Sequence, residues 1–85
     1  MTYLTYILRC ADDTLYTGIT TDLERRVREH ASDDAKWAKY TRVRRPVELV
    51  YHEKHASRSE ACKREYAIKQ LSKKQKIELI ERSSV

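Results

Sequence analysis

Tyr6 and Tyr16 stand ten residues apart, each inside a strand-like run, and Gly18, the one glycine of the chain, follows Tyr16 by two positions. Arg26 and His30 come soon after, four apart, and Glu65 sits far down the chain among apolar neighbours. Each of these residue types suits one part of a phosphate chemistry. Glycine packs nothing in a strand and weakens it, so its single use in Leu15-Tyr16-Thr17-Gly18-Ile19 signals a backbone that something approaches closely, and a phosphate is the natural candidate. Arginine offers a planar, permanently charged fork to a phosphate whose charge grows during attack, a role that lysine fills less well. A phenol ionises near pH ~10 when unperturbed; lowered by a metal and arginines, it becomes a base able to take a proton from water, which His30 can accept or relay.

Glu65 has two readings. A carboxylate among Ala61, Ile68 and Leu71 loses hydration and needs compensation. One compensation is a single hard divalent ion, Mg²⁺ or Mn²⁺, held by one carboxylate together with waters and substrate phosphate oxygens. The other is an internal ion pair with Lys69, four residues on, or with an arginine from elsewhere. Tyr6 and Tyr16 likewise have an ordinary reading as strand aromatics, and Arg26 as a surface arginine like its neighbours Arg25 and Arg28.

These residues depend on elements whose signatures are local. From Thr2 to Cys10 the chain alternates, with Leu4, Tyr6, Leu8 and Cys10 on one face and Tyr3, Thr5, Ile7 and Arg9 on the other. Ala11-Asp12-Asp13 is turn-forming, and Thr14 to Ile19 is rich in β-branched and aromatic residues, so the two runs predict a hairpin that brings Tyr6 near Tyr16. Thr21-Asp22-Leu23-Glu24 matches a capping box with Thr21 as cap, and predicts a helix to about Ala31. Leu23 and Val27 form its apolar stripe, and Arg26 and His30 border that stripe.

Pro46 takes the tolerated first position of a third strand, Val47 to His52, with His52 and Glu53 at its end. Ser57-Arg58-Ser59-Glu60 and Ser72-Lys73-Lys74-Gln75 are two further capping boxes. They introduce helices with stripes at Ala61, Cys62, Glu65, Ile68 and Leu71, and at Ile77, Leu79 and Ile80. The order strand, strand, helix, strand, helix, helix predicts an α+β domain over residues 1–82, a small, mostly antiparallel three-stranded sheet flanked by helices, with a frayed tail at 83–85.

Size and charge narrow the partners. With 85 residues the chain makes one small domain. Its 18 Lys and Arg against 13 Asp and Glu, a net +5, favour a polyanion but also suit ordinary solubility. No apolar run reaches the roughly 18 residues of a membrane span, and no leader pattern opens the chain; a cytoplasmic protein is expected, with a monomer as default. Cys10 and Cys62 read as small hydrophobes, and the spacing of His30, His52, His55 and the cysteines matches no zinc pattern. Between Ser32 and Arg45 aromatics alternate with bases, Lys36, Trp37, Lys39, Tyr40, Arg42, Arg44 and Arg45, as in a loop that neutralises phosphates and stacks on bases. The helix lysines, Lys69 among them, add a second positive region.

Tyr6-Ile7-Leu8, Tyr16-Thr17-Gly18, Arg26-x-x-x-His30 and Glu65, in this order, resemble the GIY-YIG nuclease superfamily, in particular its short, single-domain YhbQ-like branch. The stretches Leu15 to Arg26, Arg44 to Tyr51 and Glu65 to Lys69 are especially close to that branch. The resemblance implies an endonuclease that cuts one DNA strand through a single metal ion, in repair or recombination, and leaves a 3′ hydroxyl and a 5′ phosphate. It assigns Tyr6 or Tyr16 to water activation with help from His30, Arg26 to the crowded phosphorus centre, Glu65 to the metal and Gly18 to the phosphate's approach. Leu4 replaces the glycine usual in the first motif, and Ile19 follows Gly18 where several active relatives carry lysine, so Arg9, Lys39 or Arg42 are the candidates to supply the missing charge. The alternatives are a noncatalytic nucleic-acid-binding module on the same scaffold and, below it, a protein-interaction domain with an acidic partner.

Overall fold

A computed structural model describes residues 2–32 and 46–83, without the side chains of residues 30–32 and 83. The alternating first run becomes β1, Tyr3–Cys10, which turns back into β2, Leu15–Thr20. The turn is closed by Asp13 N donating to Cys10 O and Cys10 N to Thr14 O, both at 2.9 Å. Asp12 Oδ1 accepts from the Thr14 hydroxyl at 2.6 Å and from Thr14 N at 3.2 Å. Asp13 adopts φ 66°, a left-handed conformation that aspartate tolerates better than most residues. Lys73 Nζ reaches its carboxylate at 3.1 Å and ties the last helix to this turn.

The third strand, β3, runs Val47–His55 and pairs with the other side of β1, so the sheet order is β2-β1-β3, antiparallel throughout. The strand continues three residues past the expected His52 end because Glu53 and His55 are inward members of its alternation, held by partners described below. Central β1 is covered on both faces: Thr5, Tyr6, Ile7 and Leu8 are all buried. A register shift against β3 falls between Ile7 and Leu8.

Three helices occur among the described residues: α1, Leu23–Ser32; α2, Arg58–Lys69; and α3, Lys73–Ser83. The cap of α1 is Asp22, not Thr21, since the Asp22 carboxylate accepts from Arg25 N at 3.1 Å. Thr20 and Asp22 also lock each other, the Thr20 hydroxyl donating to Asp22 O and accepting from Asp22 N. Ser57 caps α2 as expected, accepting from Glu60 N at 3.2 Å, while the Glu60 carboxylate reaches back to Ala56 N. The third box is reciprocal: Gln75 N donates to Ser72 Oγ, and Ser72 N to Gln75 Oε1.

Ala61 and Ile68, seven apart, are fully buried where α2 lies on the sheet, and the Thr5 hydroxyl donates to Ala61 O at 3.1 Å. A buried threonine thereby spends its polar group on a helix carbonyl instead of stranding it. Cys10 is buried and Cys62 half-buried. Ile77, an expected core residue, remains 40% exposed and lines a cavity of about 270 Å³ with Leu15, Val50 and Ile80. Among the described residues no helix is long and apolar enough to cross a membrane.

Candidate active site

Register brings the tyrosines together. Tyr6 pairs with Gly18 and Leu8 with Tyr16, and alternation along β1 puts Tyr6, Tyr16 and the Gly18 position on one face. The two rings lie 6.4 Å apart between centroids, tilted by 46°. A Cβ at residue 18 would stand 2.6 Å from Tyr6 Oη, 2.8 Å from Tyr6 Cζ and 3.2 Å from Tyr16 Cε2. The group that approaches Gly18 is therefore Tyr6 itself, and this alone accounts for the glycine. No unusual backbone conformation is involved, since Gly18 does not have positive φ.

Tyr6 is only 1% exposed and Tyr16 is half-buried. Burial, reinforced by Tyr16, pushes the Tyr6 phenol far above its ordinary value; Arg26 opposes this, while the charges of Glu65 and Glu29 add to it. Tyr16 is raised in the same way, by burial first, with Arg26 lowering and Glu65 raising it. The charges of Arg26 on α1 and Glu65 on α2 thus act on both phenols, although 38 residues of sequence separate these two. They also keep both phenols protonated at neutral pH. Among the described residues, Arg26 is the charge that favours the tyrosinate.

Arg26 is half-buried while Arg25 and Arg28 on either side are exposed, as the inward placement of Arg26 in the sequence pattern predicts. It borders two adjoining cavities. One, of about 460 Å³, is shared with Thr20, Thr21, Asp22, Arg25 and Glu29. The other, of about 220 Å³, is shared with Tyr3, Ile19, Thr20, Thr21 and Arg58.

The ion-pair reading of Glu65 is met in the structure. Its carboxylate lies 3.5 Å from Lys69 Nζ, with side-chain exposures of 24% and 53%. An i,i+4 pair of that length with a mostly exposed lysine is weak and easily exchanged. Among the described residues no group of three His, Cys, Asp or Glu side chains could cage an ion. The donor set instead fits a hard ion held through one carboxylate, with waters and substrate oxygens completing its shell.

The remaining sequence candidates fall elsewhere. His30 lies one turn after Arg26 on α1, with its side chain outside the described residues, as are Lys39, Tyr40, Arg42, Arg44 and Arg45. Arg9 donates to Glu48 at 2.9 Å on the exposed surface and, three residues beyond Tyr6, belongs to the opposite face of β1.

Two features escaped sequence reasoning. Glu29, half-buried on α1, acts on Tyr6 and meets Arg25 at 3.4 Å. Its place three residues after Arg26, on the same helix face, was the available signal. The second is a cluster on β3. Glu53 Oε1 accepts from Arg64 Nε of α2 at 2.6 Å, and the Tyr51 hydroxyl donates to the other carboxylate oxygen. His55 Nε2 sits 3.1 Å from Oε1 but makes no hydrogen bond, so its attraction to Glu53 requires the imidazolium. Alternation of Tyr51, Glu53 and His55 along one strand face was the missed signal.

The sheet carries two facing tyrosines, with an arginine on the first helix and a glutamate on the second, in the order of the motifs by which the sequence resembles the GIY-YIG nucleases, and comparison with known proteins supports that family. Residues 2–78 match the GIY-YIG catalytic domain, and the chain belongs to the GIY-YIG family. Among curated proteins it is 60% identical over 81 residues to a UPF0213 protein of Desulfotalea psychrophila, covering 95% of this chain and 73% of that one. It is 53% identical over 76 residues to a UPF0213 protein of Staphylococcus haemolyticus, covering 89% and 90%. The solution structure of a UPF0213 protein from Bacillus halodurans superposes with a TM-score of 0.63 at 43% identity, covering 98% of this chain and 86% of that one. A protein of E. faecalis gives 0.66 at 44%, covering 96% and 85%.

Proposed function

We propose that this chain is a metal-dependent endonuclease that hydrolyses a phosphodiester bond in one strand of DNA, in repair or recombination. The observation that supports it most directly is the convergence of Tyr6, Tyr16, Arg26 and Glu65, from four different elements, on one electrostatic neighbourhood. In this reading Arg26 binds the scissile phosphate and stabilises charge that develops on its oxygens. One of the two phenols takes the proton of the attacking water, with His30 as acceptor or relay. Glu65 would hold one Mg²⁺ or Mn²⁺, whose charge, when bound, acts on the leaving oxygen and favours phenol ionisation. Lys69 at 3.5 Å keeps the Glu65 carboxylate partnered until then. Tyr6, packed across Gly18, is rigidly placed, and Tyr16 is the more accessible of the pair.

A second reading, a noncatalytic nucleic-acid-binding module, is favoured by the same phenols, which burial holds in their protonated form. Nicking of supercoiled and branched DNA with Mg²⁺ or Mn²⁺ separates the two, with wild type compared to Glu65→Ala and Arg26→Ala. Metal-dependent nicking lost in both variants is the expected result. Salt-sensitive DNA binding without cleavage would establish the module instead, since phosphate contacts release counterions.

A further inference from the structure

The cavity at the start of β1 and the end of β2 differs from its neighbour in charge. Tyr3, Ile19, Thr20, Thr21, Arg26 and Arg58 line it, and no carboxylate is among them. The adjoining cavity, which shares Thr20, Thr21 and Arg26, carries Asp22 and Glu29 against Arg25. The smaller space therefore has two guanidiniums from two helices, one half-buried aromatic ring and one aliphatic side chain. That combination suits a ligand with an anionic end and a flat apolar face. Arg58 is exposed at the first position of α2, and the Thr20 hydroxyl is already committed to the Asp22 backbone. The polar recognition thus falls to the arginines and to exposed Thr21.

We propose that this cavity is a subsite for one unpaired nucleotide of the substrate strand beside the scissile phosphate, its base against Tyr3 and Ile19 and its own phosphate on Arg58. The inference rests on the nuclease reading for the position of the scissile phosphate at Arg26, which borders both spaces. A paired base is held in the duplex stack and cannot lie on Tyr3, whereas an unpaired one loses little by moving there. The site accordingly selects gapped, mismatched or branched DNA over a perfect duplex.

The test is binding, measured by fluorescence anisotropy without divalent ion, to a labelled DNA duplex and to the same duplex with one mismatched pair. Wild type binds the mismatched duplex about tenfold more tightly, the effect of one base stacked on an aromatic side chain. Tyr3→Ala and Arg58→Ala each remove most of that preference, Tyr3→Phe keeps it, and Arg82→Ala on α3 leaves it unchanged. Arg58 is exposed, so its variant folds even if Tyr3→Ala proves unstable, and thermal melts identify that case. A preference unaltered in Arg58→Ala and Tyr3→Ala, or absent in wild type, overturns the subsite. Nicking that is lost in Glu65→Ala while the preference survives in Arg58→Ala would leave the nuclease standing without it. Absent nicking, with the preference lost in Tyr3→Ala and Arg58→Ala, would leave the subsite and remove the nuclease.

Discussion

Two clusters in this small domain are made of nearly the same side chains and are left in opposite states. On β3 and α2, Tyr51, Glu53 and Arg64 satisfy one another, a single carboxylate taking a guanidinium and a phenol, with His55 close by. On the β1–β2 side of the sheet Tyr6, Tyr16, Arg26 and Glu65 act on one another through charge, and the phenols are held in the form that burial favours. The first arrangement fastens α2 to β3. Among the described residues, the second leaves Glu65 a long pair to an exposed lysine. A carboxylate between two or three donors is a strut; one with a weak partner is available for ligation.

The strongest way to break this contrast is to remove one charge from each cluster. Arg26→Ala and Glu65→Gln should each lower the nicking rate by about 10²–10³-fold, the scale for a group that meets developing charge. Glu53→Ala should leave the rate per folded molecule within about twofold, since none of its partners meets the reacting phosphate. Rates normalised to folded protein by circular dichroism decide it; equal losses from Glu53→Ala and Glu65→Gln would erase the distinction.

The pH dependence should be nearly as large. Both phenols are raised above their ordinary value, so only a small fraction is ionised at neutral pH and each further pH unit multiplies it tenfold. The nicking rate should therefore climb with pH between about pH 7 and 9, by up to about tenfold per unit and by less the more the bound ion favours phenol ionisation, and a rate that falls across that range would exclude a tyrosine base. Stability follows the same groups. A phenol whose folded value is raised keeps its contribution below the unfolded value near ~10 and loses it as pH rises further toward the folded value. Unfolding above pH 10 should be less steep in Tyr6→Phe than in wild type.

Gly18→Ala sharpens the picture through packing. The added methyl would lie 2.6 Å from Tyr6 Oη and 2.8 Å from Cζ, so the ring must shift, at a cost of about 1–3 kcal/mol. Because both changes act on one contact, Gly18→Ala combined with Tyr6→Phe should be non-additive by at least about 0.5 kcal/mol in urea unfolding. Additive losses would mean that Tyr6 is not what the glycine accommodates.

Much of this was legible in the sequence because the signals are local. Alternation in residues 2–10 placed Tyr6 on the correct face, and Ser57 and Ser72 marked two helix starts. The half-burial of Arg26 between exposed Arg25 and Arg28 followed from one helical stripe. What sequence could not supply was which group fills which space. Gly18 announced a close approach, but only the register of β1 with β2 shows that Tyr6 makes it. Glu53 looked like a strand end because its partners come from residues 51, 55 and 64, the last on another element. Asp22 displaced Thr21 as the cap of α1 because the Thr20 hydroxyl is already bonded to the Asp22 backbone, which fixes the turn one residue later.

The smallest effect concerns Arg9, whose pair with Glu48 is the surface counterpart of the Arg64–Glu53 strut. The separation of 2.9 Å is as short as many buried pairs, yet the two side chains are 53% and 63% exposed. Water screens such a pair and its side chains lose rotamer freedom in making it, so Arg9→Ala should change stability by less than about 0.5 kcal/mol. Glu53→Ala, which strands Arg64 and Tyr51 in partly buried surroundings, should cost about 1–3 kcal/mol. Thermal melts of the two variants in low and in 0.5 M salt test the difference: the Arg9 effect should vanish with salt and the Glu53 effect persist. If Arg9→Ala also reduced DNA binding and its salt slope without altering stability, this arginine would be reaching phosphate at the opposite end of β1 from Tyr3, and the nucleic-acid footprint would extend along the strand.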